Sequence, residues 1–126
     1  MSRLHKYFSV LFCVALLLAT SIVNARPLGG TYNVKGTNPG GKSSYTGTAK
    51  ITAAKNGNYV IHWKVGSVYD GVGILQGDTF KVNWGNLANP EGGVVTYTVD
   101  PNGTLKGIWY TFKNPNTLGT ETLIPR

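Results

Sequence analysis

The chain has 126 residues, with 12 lysines and arginines against 5 acids, a net charge of +7, and one cysteine. Most of the positive charge is lysine, placed singly from Lys35 to Lys113. Sequence-specific nucleic-acid readers instead gather arginine forks on one face, so that class is set aside. A single thiol excludes a disulfide framework and a cysteine-based metal site.

The first 25 residues read as a secretory leader. Arg3, His5 and Lys6 form a basic start, an apolar run follows from Tyr7 to Ala19, and Val23-Asn24-Ala25 places small residues where a signal peptidase cuts. The run is short of the roughly 20 residues that span a bilayer as a helix, so no transmembrane anchor is expected. Cys13 lies within it, preceded by Phe12 where a lipoprotein box requires a small residue. Cleavage after Ala25 would leave residues 26–126 as a single domain, without a thiol, secreted or periplasmic.

Beyond residue 26 there is no helical periodicity. Runs rich in Thr, Val, Tyr and Trp alternate with turn residues, predicting eight strands: Thr31–Gly36, Ser44–Ala53, Tyr59–Val65, Val68–Gln76, Thr79–Trp84, Val94–Val99, Thr104–Lys113 and Leu118–Ile124. Asn56-Gly57 suits a tight hairpin turn, and Asp100-Pro-Asn-Gly103 sets φ with proline before supplying glycine. Gly66-Ser67 and Gly77-Asp78 are equally short, and Asn86–Gly93 is the one longer loop. Short turns join only antiparallel neighbours. The fold class expected is therefore all-β, an eight-stranded antiparallel up-and-down barrel, wide enough inside for side chains or one small ligand.

Alternation assigns the faces. Tyr45, Gly47, Ala49 and Ile51 share one face of the second strand with Lys50 and Thr52 opposite, and the same phase puts Trp63, Tyr69, Trp84, Tyr97 and Trp109 inside. All three tryptophans and five of the six tyrosines after residue 26 fall on this face. Two readings compete for it. The aromatics fill the core while Gly47, Gly71, Gly73 and Gly107 let the strands bend at barrel corners. Or the glycines leave room, and phenol and indole groups furnish a pocket with polar handles. Glu121 is the interior-phase charge if strand eight turns Gly119, Glu121 and Leu123 inward. A register slip of one residue would put it in solvent. Inside, it would need a partner.

Strand seven carries bulk on its outer face as well, in Ile108, Tyr110 and Phe112, which marks a surface for a protein partner or a second copy. His62 falls on an outer face without companion ligands, and no nucleophile-elbow sequence is present. No catalytic residue, metal or cofactor is assigned, and an enzyme is not expected.

The segments Gly30-Thr-Tyr-Asn-Val-Lys-Gly36, Tyr45-Thr-Gly-Thr-Ala-Lys-Ile51, Asp100-Pro-Asn-Gly-Thr-Leu-Lys-Gly-Ile-Trp109 and Gly119-Thr-Glu-Thr-Leu123 resemble small secreted bacterial proteins known as fibronectin-binding. The resemblance implies an avidin- or lipocalin-like barrel of the calycin type and carries no site residues with it. The function expected is non-enzymatic, adhesion-type binding of a protein partner through Ile108, Tyr110 and Phe112 or through the barrel mouth. The alternative is a carrier for a small apolar or aromatic ligand held by Tyr45, Trp63, Tyr69, Trp84, Tyr97, Trp109 and Glu121.

Overall fold

The computed structural model describes residues 27–86 and 91–126. The leader expected over residues 1–25 and its cleavage point lie outside the described residues, as do Arg26 and positions 87–90.

Strictly alternating sequence yields eight strands, β1 (Gly30–Thr37), β2 (Ser44–Ala53), β3 (Tyr59–Lys64), β4 (Val68–Gln76), β5 (Thr79–Gly85), β6 (Gly92–Val99), β7 (Leu105–Thr111) and β8 (Asn114–Pro125). Each pairs antiparallel with its neighbours in sequence, and β1 also pairs with β8, so the sheet closes in chain order as a barrel. Closure leaves no unpaired edge to be guarded. The turns rest on their glycines: Gly57 and Gly103 hold φ at 76° and 89°. The amide of Asp100 donates to the Thr104 carbonyl across the latter turn at 2.8 Å.

The strands β2 and β4 run as the alternation indicated, whereas the last hairpin does not. β7 ends at Thr111 and β8 begins at Asn114, four residues before the expected Leu118. The register jumps from Trp109 opposite Gly119 to Thr111 opposite Asn114. Residues 115–118 have no ladder partner on β7 between those two pairs. Pro115 therefore sits where no ladder partner asks for its missing N–H, and the stretch resembling a turn in sequence is a bulged strand. At the other loop, Gly85 already opposes Gly92, so β6 starts two residues before the expected Val94.

The interior divides into two halves. Ile51, Ile61, Phe80, Val82, Leu105 and Leu123 are buried together, and Leu28 packs against the same cluster ahead of β1. Each such side chain contributes about 1.5–3 kcal/mol relative to exposure. This packed end carries the β2–β3, β4–β5 and β6–β7 turns. The opposite end, carrying the other four connections, is open.

Candidate ligand site at the open end of the barrel

Register determines what fills the open end. Inward-facing glycines oppose aromatic residues on the adjoining strand: Gly36 opposes Tyr45, Gly93 opposes Trp84, Gly107 opposes Tyr97 and Gly119 opposes Trp109. Each ring leans across the glycine beside it. A Cβ on Gly107 would lie 2.6 Å from the Tyr97 ring and one on Gly119 2.7 Å from the Trp109 indole. Gly71 and Gly73 likewise lie under the Trp63 and Phe80 rings. The glycines do leave room, and aromatic rings of the same barrel take it up.

The rings form a linked series around the opening. Tyr45 meets Trp109 edge to face with centroids 6.2 Å apart, Trp109 meets Trp84 at 5.7 Å, and Trp84 meets Tyr69 at 5.6 Å. Contacts of this kind are worth about 0.5–1.5 kcal/mol each beyond the area they bury, and they fix ring orientation. Together with Trp63 and Glu121 these residues line a cavity of about 270 Å³.

Glu121 forms part of the cavity floor and is only 6% exposed. It stands between two glycines in register, Gly36 on β1 and Gly107 on β7. With no side chain on either flank, tyrosines one strand further away reach it over those glycines. The Tyr45 hydroxyl donates to Oε1 at 2.8 Å, and the Tyr97 hydroxyl makes a short hydrogen bond to Oε2. The Trp63 indole N–H donates to the same Oε2 at 3.0 Å. Burial raises the Glu121 carboxyl above its ordinary range, opposed by these bonds from Tyr97, Tyr45 and Trp63. Burial and the neighbouring Glu121 charge push both phenols well above theirs, which keeps them protonated as donors.

Of the residues proposed from sequence for the interior, Tyr45, Trp63, Tyr69, Trp84, Trp109 and Glu121 line this one cavity. Tyr97 lies deeper, fully buried, and joins the site through its bond to Glu121. Sequence reasoning passed over Glu91, within the Asn86–Gly93 loop, and Thr111, both of which also line the cavity. Strand parity held the missing signal. In an up-and-down barrel every second connection shares an end, so the loop carrying Glu91 had to lie beside the aromatic mouth.

The outer face of β7 is less uniform than its alternation suggests, and Phe112, expected on it, lies in the turn that follows Thr111. Ile108 and Phe112 are 54% and 61% exposed, but Tyr110 is half-buried and opposes Val94, which is itself 6% exposed on the outside of the barrel. His62 is on the outer face opposite Asp70, its Nδ1 2.5 Å from the carboxylate.

No known protein family matches this chain, and no curated protein is similar to it. Among solved structures it is similar to a de novo designed fluorescence-activating β-barrel, with a TM-score of 0.61 and 12% identity over 81% of this chain and 96% of that one. At this identity the likeness is one of fold.

Proposed function

We propose that the protein is a non-enzymatic carrier or receptor that takes one small molecule with an aromatic or apolar body into the open end of its barrel. The observation that carries this reading is the cavity of about 270 Å³ walled by aromatic rings from several strands, with a buried carboxylate at its floor. Apolar walls with few, fixed polar groups are the usual composition of a small-molecule site. The fluorescence-activating property of the designed barrel supports the reading by analogy of fold. The expected leader would place the carrier outside the cytoplasm.

The test is native mass spectrometry of the protein isolated gently from its own cells, followed by titration of the released molecule against tryptophan fluorescence. A discrete small adduct is expected. Trp63→Phe and Trp109→Phe should each weaken its binding several-fold while the far-ultraviolet spectrum is unchanged.

A second reading, adhesion to a protein partner, draws on the exposure of Ile108 and Phe112. It is favoured by a clean apo mass together with a partner that is lost on Ile108→Lys.

A further inference from the structure

Every group that reaches Glu121 is neutral. Two phenols and one indole bring three hydrogen bonds to its oxygens, and neither ion pair found among the described residues, His62–Asp70 and Lys106–Asp100, involves it. A carboxylate has roughly four acceptor positions, so most of its hydrogen-bonding capacity is already used. What the site lacks is charge. A buried carboxylate without a counter-charge is a costly arrangement, because neutral donors replace water's hydrogen bonds but not the screening that water provides.

A second observation points the same way. Lysine and arginine outnumber acids by 12 to 5 in the sequence, yet the ionisable carboxyls on the cavity wall, Glu91 and Glu121, have no lysine or arginine beside them among its lining residues. The charge balance of the chain is thus inverted at the mouth. The remaining walls are chiefly indole and phenol rings, whose π systems attract cations, more strongly when water is excluded. A bare metal ion would be poorly served, since hard cations demand six or more oxygen ligands and the walls are mostly carbon.

We infer that the molecule bound in the open end is an organic cation, an ammonium carried on an apolar or aromatic body, with Glu121 as its counter-ion and Tyr45, Trp63, Trp84 and Trp109 as its cage. This rests on the small-molecule reading above and narrows it to one charge class. An anion of the same shape would meet two carboxyls and no compensating base. A neutral molecule would leave Glu121 either protonated or uncompensated, and would gain nothing from the charge.

The experiment uses three probes with a common body and different charge: 2-phenylethylammonium, 2-phenylethanol and 3-phenylpropanoate. Each is titrated into the wild-type protein at neutral pH, up to the millimolar range, with tryptophan fluorescence and calorimetry as readouts. The ammonium is expected to bind at least about tenfold more tightly than the alcohol, with the propanoate weakest. In Glu121→Gln the gap between ammonium and alcohol should close. If the alcohol binds as tightly as the ammonium, or the propanoate binds best, the charge assignment is overturned while the small-molecule reading stands. If none of the three binds, both fall. The charge series is read on the wild-type chain, so its outcome is independent of whether the variant folds.

Discussion

Glu121 gathers three buried donors but carries a carboxyl that burial disfavours in its charged form. Its carboxyl is raised above the ordinary 4.5, so just above that pH the native state keeps a proton that the unfolded chain has lost. The sign follows from linkage: the contribution of Glu121 to stability is fully present below the unfolded value and is lost as pH rises through the native one. Toward neutral pH the residue therefore contributes less to the fold than it does in acid. Urea denaturation across pH 4 to 8 should find Glu121→Gln gaining on wild type as pH rises, from a starting deficit set by the buried donors that the amide NH2 cannot accept from. A stability difference that stays constant across this range would mean that the buried charge is not felt. The sequence placed Glu121 inside only conditionally, because one slip in β8 reverses its face. Alternation put its three donors inside the barrel with it, but did not reveal their convergence on its two oxygens. Tyr45 and Tyr97 are 76 and 24 residues away, and they converge on it only because register sets a glycine in each intervening strand.

Strand by strand, the period of two was legible and the interruptions were not. Residues such as Tyr59, Ile61 and Trp63 face inward as their alternation requires. The bulge in β7–β8 escaped because Asn114-Pro-Asn has a turn composition, and only the paired strand reveals that the chain continues extended. Glycine carried a similar ambiguity. Gly47 sits where the end of β3 presses on β2, and a Cβ there would overlap the Lys64 carbonyl oxygen and lie 2.9 Å from the Val65 Cα. Backbone cannot move aside as a side chain can. Gly47→Ala is thus expected to cost more than about 3 kcal/mol in chemical denaturation, or to prevent folding. Gly29→Ala is the control: its Cβ would find nothing nearer than the Ile51 carbonyl oxygen at 3.8 Å, and its effect should stay within about 0.5 kcal/mol.

For the molecule as a whole, the barrel separates its tasks by end. Alternation identified the aromatic lining but left open whether it was filled or hollow, and the answer is both. Phe80 is fully buried in the packed half, stacked on Tyr97 with ring centroids 6.0 Å apart, whereas Trp109 is half-buried at the mouth. Phe80→Ala should cost about 3–5 kcal/mol of unfolding free energy, the usual effect of deleting a buried aromatic ring. Trp109→Phe, by contrast, should register mainly in binding. A loss at Trp109 as large as that at Phe80 would contradict the division. Tilt and ring orientation, which decide where the filling stops, leave no trace in a pattern of alternate residues.

The pairing of β1 with β8 joins the two extremes of the described chain, while every other pairing in the wall is a local hairpin. Closing that seam carries the largest loop entropy of any step in assembling the fold. The floor of the cavity straddles it: Glu121 lies on one side, and Tyr45 reaches it from the other, over Gly36. The pocket consequently comes into being at the moment the cylinder zips shut and ceases to exist when it unzips. A guest seated against Glu121 acts as a latch on the seam, and its binding energy is spent holding the first and last strands together.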